Sequence, residues 1–175
     1  MVEQKLYIGV DLGGTKILTG LVTEAGELIA QDYRRTKAKR GQAAVIERLV
    51  DSVGRLMRSA GVQASDVQAL GVGAPGPVDS AAGMVVSPPN LPGWDRVPLR
   101  AAMEEGLGIS TFLANDANAA ALGECLFGAG RGARHMIYIT VSTGIGGGAI
   151  LDNRLYTGSI GTAVELGHMT IDDKG

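Results

Sequence analysis

The chain is expected to be an α/β protein built from two copies of one strand, glycine turn, strand unit, and three features of its 175 residues carry that expectation. Residues 6–18 (LYIGVDLGGTKIL) and 136–151 (MIYITVSTGIGGGAIL) echo each other, each an apolar, β-branched run that meets a glycine turn and reverses. Between the echoes, a helical apolar period alternates with short buried runs, which is the pattern of a sheet fed by crossover helices. After the second turn only hairpins follow, so the second copy stops before any helix that would cover its sheet. Hydrophobic residues make up 45% of the chain, enough for one well-buried domain and the beginning of another.

Taken in order, the first turn is GGTK, and ILTGLVTEAGELIAQDYRRT follows it with an AGE turn at 25–27 and no amphipathic period, so the turn joins two strands of a hairpin. In GQAAVIERLVDSVGRLMRSAG, Val45, Ile46, Leu49, Val50, Val53, Leu56 and Met57 recur at helical spacing until Gly61 stops them. Residues 67–74 (VQALGVGA) read as a buried strand. The stretch PGPVDSAAGMVVSPPNLPGW is long, rich in Pro and Gly and irregular, a composition more often functional than a linker. A short helix near 97–107 leads to the strand STFLA, which ends at Asn115-Asp116 where the helix ANAAALGECLF begins. The strand HMIYITVS opens the second copy, whose own turn falls at Asp152-Asn153.

A formal charge of −2 and a pI near 5.7 supply no basic field for nucleic acid or anionic lipid. The opening MVEQK carries no apolar signal core, and no run reaches the roughly 18 apolar residues of a membrane span, which reads as a cytoplasmic chain. The single Cys125 excludes an internal disulfide and a multi-cysteine metal site within these residues, and reads as a small packing residue on a helix.

Two glycine turns, one per copy, point to phosphate chemistry. VDLGGTK fits neither G-x-x-x-x-G-K-[ST] nor G-x-G-x-x-G with a helix behind it. Gly13 and Gly14 let backbone approach phosphate oxygens, and Thr15 and Lys16 add a hydroxyl donor and a cation, although an ordinary hairpin turn has the same composition. In the second turn, Gly144, Gly146, Gly147 and Gly148 weaken a strand, for which close approach of a ligand is the simplest compensation. Asn115-Asp116, at a strand end and helix start, suits either a carboxylate aimed into a cleft or a plain N-cap.

The stretches VDLGGTK, GAPGPVD, SPPNLPGW, NDANAAALGE, STGIGGGAI and GSIGTAVELGH, in this order across nearly the whole chain, resemble the N-terminal portion of ROK-family sugar kinases, bacterial glucokinases above all. The resemblance implies a duplicated actin-like ATPase (ribonuclease H-like) fold with a truncated second half, residues 1–127 forming the sugar- and phosphate-binding domain and 128–175 the start of the next. It implies ATP-dependent transfer to the 6-hydroxyl of glucose, with Asp116 as general base. Gly76, Asn90, Asn115, Asp116, Glu165 and His168 would bind sugar. Asp11, Gly13, Gly14, Thr15, Lys16, Thr143, Gly144, Gly146 and Gly147 would hold nucleotide phosphates and Mg²⁺, with Asp11 at the metal or its water.

His168 also resembles a zinc ligand whose partners would lie beyond Gly175, so Zn²⁺ belongs to a longer protein only. Trp94 suits a loop anchor as well as a sugar contact, and His135 matches no motif. The expected partners are a hexose and a nucleotide, with a homo-oligomer for the complete enzyme and neither nucleic acid nor membrane. Polyphosphate is an alternative donor. N-acetylmannosamine, N-acetylglucosamine and fructose kinases share the pattern, and so do non-catalytic sugar-binding regulators, which carry a helix-turn-helix domain ahead of the first glycine turn. The 175 residues alone are expected to have little or no kinase activity.

Overall fold

Period-two alternation in LYIGVDL puts Ile8, Val10 and Leu12 on one buried face of strand β1 (Leu6–Leu12). The computed structural model describes residues 4–142, 144–159, 161–170 and 172. β1 runs antiparallel to β2 (Lys16–Thr23), and β2 to β3 (Leu28–Arg35), so the first glycine turn does close a hairpin. Helix α1 (Gln42–Ala60) follows, then β4 (Val67–Ala74), parallel to β1. Two short strands, β5 (Val78–Asp79) and β6 (Met84–Val85), pair inside the Pro- and Gly-rich stretch. Helix α2 (Leu99–Leu107) leads to β7 (Thr111–Asn115), parallel to β4, and the sheet order is β3-β2-β1-β4-β7.

α1 and α2 contact each other and cover one face of this sheet. Val45, Leu49, Val53 and Leu56 of α1 and Leu99 and Met103 of α2 close over Ile8, Leu12, Ile17, Leu21, Leu70 and Leu113. Ile46, Val50 and Met57, expected on the same stripe, pack partly buried at its margin. Both helices end on a left-handed glycine, Gly61 (φ 69°) and Gly108 (φ 67°), which stops the helix at no side-chain cost. One polar thread crosses the apolar layer: the buried hydroxyls of Thr19 and Ser52 lie 3.2 Å apart, and Ser52 donates to the Asp32 carboxylate at 2.9 Å. Buried hydroxyls linked in this way escape the desolvation cost of an unmade hydrogen bond.

Packing divides the chain into two units, Met1–Asp116 and Ala117–Gly175. Helix α3 (Asp116–Leu126), whose first residue closes the first unit, opens the second and is followed by an antiparallel sheet of β8 (Met136–Val141), β9 (Ile145–Leu151) and β10 (Arg154–Tyr156). Asp152 and Asn153 both have positive φ (52° and 60°), the geometry of a tight two-residue hairpin. Ile137, Ile139 and Val141, alternate residues of β8, are exposed on one face of this sheet. Among the described residues, no helix is long and apolar enough to cross a membrane.

Two glycines of β9, Gly147 and Gly148, are closely packed by other parts of the protein. A Cβ on Gly148 would lie 2.6 Å from the Cβ of Ala121, and one on Gly147 would lie 2.9 Å from a Leu166 methyl and 3.0 Å from the Tyr138 carbonyl oxygen. Gly148→Ala is therefore expected to destabilise the fold by about 1–3 kcal/mol. In a double-mutant cycle by urea unfolding, the cost should shrink in an Ala121→Gly background. An equal cost in both backgrounds would remove the α3 contact as its cause.

Candidate functional site

The first glycine turn is held by the segment that follows β3. Gly13 N–H donates to the Lys16 carbonyl at 2.8 Å and closes the hairpin. Thr36, fully buried, donates its hydroxyl to the Gly13 carbonyl at 2.6 Å and its N–H to the Thr15 carbonyl at 2.8 Å. Neither Gly13 nor Gly14 has a positive φ, so a left-handed backbone is not what demands glycine here. Close approach is: a Cβ on Gly14 would stand 2.7 Å from the carbonyl oxygen of Asn90 and 2.8 Å from its Cβ. The turn and the SPPNLPGW loop are thus in van der Waals contact.

Asp11 leaves β1 on the face opposite the core, beside Leu18 in the hairpin register, while Lys16 lies opposite Arg35 across β2 and β3. The Asp11 side chain reaches solvent, yet protein around it removes enough water to raise the carboxyl above its ordinary value, and the Lys16 ammonium pulls it back down. One carboxylate beside a glycine turn suits Mg²⁺, which is usually held by one or two carboxylates plus phosphate oxygens and water.

The loop beyond β4 reaches the same place. Gly76 has φ 74°, and a Cβ there would meet the Pro88 Cα at 2.9 Å. The Gly76 carbonyl accepts a hydrogen bond from Asn115 Nδ2 at 3.1 Å. Asn115 is the last residue of β7, in register with Ala74, and Asp116 is the first of α3, so strand passes to helix without a connecting loop. A carboxylate at that position has the helix N–H groups and dipole in its favour. Asn115 contacts Gly76, Gly76 lies against Pro88, and Asn90, two residues on, lies against Gly14, so four separate motifs are joined within the first unit. Trp94 is a core anchor, only 3% exposed, and its Nε1 has no hydrogen-bond partner among the described residues.

In the second unit, Gly144 is the turn glycine with open space around it, and Ser142 N–H donates to its carbonyl at 2.8 Å. Gly146 and Gly147 lie within β9, and Thr143 lies outside the described residues. Glu165 precedes a 3-10 turn, Leu166–His168, that brings His168 Nε2 to 4.0 Å from Glu165 Oε2, both side chains exposed. These residues do not by themselves fit zinc, which takes four ligands, and no group of three or more His, Cys, Asp or Glu suited to a metal occurs among the described residues. His135 instead accepts from the Asp152 N–H at 3.3 Å. A cavity of about 280 Å³ beside Cys125, Arg131 and Asn153 contains none of the motif residues.

Two contributors escaped the sequence reading. Thr36 sits inside the cationic run RRTKAKR, where charge draws attention from the one buried side chain. Arg35 is placed opposite Lys16 by a register that becomes readable once the 25–27 turn is taken as the hairpin end.

A β3-β2-β1-β4-β7 sheet whose first hairpin carries the glycine turn, followed by a second strand-turn-strand copy, defines the actin-like ATPase fold. A solved ROK family glucokinase from Streptomyces griseus, in complex with glucose and AMPPNP, superposes with a TM-score of 0.86 at 38% identity over 97% of this chain and 52% of that one. The chain belongs to the ROK family, whose model matches residues 7–175. It is 43% identical to a glucokinase of Thermotoga maritima over 168 residues, 96% of this chain and 51% of that protein. It is also 34% identical to a xylose repressor of Caldicellulosiruptor bescii, over 94% of this chain and 41% of the repressor. The chain spans about half the length of the curated glucokinases it matches.

Proposed function

We propose that the chain is the N-terminal portion of an ATP-dependent sugar kinase that phosphorylates the 6-hydroxyl of glucose. The observation that carries this reading is the contact series Asn115, Gly76, Pro88, Asn90, Gly14, which brings the SPPNLPGW loop against the first glycine turn and supports a sugar beside a phosphate. Likeness to glucokinases, one of them solved with glucose and AMPPNP, supports the choice of sugar and donor.

In this reading Asp116 accepts the proton of the attacking hydroxyl, and Asn90 and Asn115 orient the hexose. Asn115 is already tied to the Gly76 carbonyl through its amide nitrogen, so it holds the loop as well as the sugar. The Gly13–Lys16 turn receives the donor's phosphates, Lys16 offsets their charge, and Asp11 holds the metal or its water. Mg²⁺, when bound, would screen charge on the phosphates. From the second unit, Glu165 and His168 are assigned to sugar hydroxyls and Gly144, Gly146 and Gly147 to phosphate. Because phosphoryl transfer leaves the protein little covalent chemistry to do, position and charge supply the catalysis.

A coupled assay with ATP, Mg²⁺ and glucose tests the proposal. The 175 residues alone should show little or no turnover, and the chain together with whatever residues its natural polypeptide adds should turn over. Normal turnover by the 175 residues would refute the first expectation, and inactivity of the longer polypeptide toward glucose, N-acetylmannosamine, N-acetylglucosamine and fructose, with either ATP or polyphosphate, would refute the kinase reading. The likeness to a xylose repressor supports a second reading, a sugar-responsive regulator, which predicts sugar binding without phosphorylation in the same assay.

A further inference from the structure

We infer that Thr36 is a positioning residue for the phosphate-binding turn, a role that rests on the function proposed above. Thr36 is fully buried, follows β3 directly, and reaches two carbonyls of the turn at once: its hydroxyl donates to Gly13 O at 2.6 Å and its N–H to Thr15 O at 2.8 Å. The Gly13–Gly14 peptide is trans and planar, so its C=O and N–H point in opposite directions. Fixing the Gly13 carbonyl on Thr36 therefore aims the Gly14 N–H away from Thr36. That N–H is the donor which a phosphate at the turn would use, and backbone donors bind anions best when their direction is set before the ligand arrives.

Gly13 has little else to hold this orientation. It is a glycine with wide backbone freedom, and its own N–H is engaged by the Lys16 carbonyl. The next peptide is constrained from the other side, where Asn90 occupies the space beside Gly14. Thr36 thus supplies the one side-chain hydrogen bond to the turn's carbonyls among the described residues. Serine would keep that bond. Valine would keep the shape and lose it.

The test uses the chain together with whatever residues its natural polypeptide adds, with MgATP and glucose as probes. Thr36→Val is expected to raise the KM for MgATP about tenfold, the size of effect expected when the one hydrogen bond that orients the turn is lost. The KM for glucose should stay within about twofold, and Thr36→Ser should restore the parent value. In ¹⁵N spectra, the Gly14 amide should move on MgATP addition in the parent and in Thr36→Ser, and move less in Thr36→Val. Should Thr36→Val not fold, Thr36→Ala is read in the same way.

An unchanged KM for MgATP in the hydroxyl-less variants overturns the inference. So does an equal rise in both KM values, or loss of fold in both Val and Ala variants, since either marks Thr36 as structural only. If the parent itself shows no MgATP-dependent phosphorylation, the kinase reading fails and the inference with it. An active parent with indifferent variants fails the inference alone.

Discussion

Asp116→Asn is expected to lower kcat by roughly 10²–10⁴-fold, the usual contribution of a positioned general base. The substitution keeps size and shape at the first residue of α3 and removes the basic oxygen, so the KM for glucose should change far less than kcat. Steady-state kinetics on the chain with its natural extension check this. Because Asn is itself a good residue at a helix start, urea unfolding should show a stability change below about 1 kcal/mol. A kcat within a factor of a few of the parent would strip Asp116 of the assigned role and leave it as an N-terminal helix carboxylate.

Gly14→Ala should produce the second large effect, by a different route. The added methyl would stand 2.7 Å from the Asn90 carbonyl oxygen, so either the turn or the loop must move. Overpacking of this kind costs about 1–3 kcal/mol. The nearest atom is backbone, so Asn90→Ala is not expected to relieve the strain, and the double variant should remain as destabilised as the sum of the two single changes. Gly9→Ala is the control: a Cβ there meets nothing within 4 Å, and stability should move by no more than about 0.5 kcal/mol. Urea midpoints of the four variants, each read against the parent, decide it. If Gly14→Ala unfolds together with Gly9→Ala, the contact with Asn90 carries no energetic weight.

Much of the first unit was legible before any coordinates. Helical period marks α1, and Gly61 marks its end, because a left-handed residue is needed there and glycine adopts it freely. The hairpin reading of VDLGGTK held because β-branched residues continue past the turn, where a helix-opening loop would show a 3.6-residue period. Trp94, open between anchor and ligand contact, proved to be an anchor, which no local pattern decides since burial depends on distant neighbours.

Several motif glycines have a packing reason that the sequence does not show. Gly14, Gly147 and Gly148 share one cause, the absence of a side chain where another part of the protein arrives within 3 Å of where a Cβ would stand, and composition alone cannot tell an arriving ligand from an arriving backbone. Asn115, expected as a sugar ligand, also ties its amide nitrogen to the Gly76 carbonyl, thirty-nine residues away in sequence, a second task that residue type alone does not reveal.

By itself, the amino-acid order determined the strand and helix alternation, the two glycine hairpins and the list of chemically competent side chains, because each depends on periodicity or on residue type at short range. Only the tertiary structure decided that residues 14, 76, 90 and 115 meet, and that Thr36 holds the first turn. Those contacts span 12 residues of sequence (Gly76 to Pro88) to 76 (Gly14 to Asn90), and they are selected by sheet register and loop packing, which no window of neighbouring residues encodes.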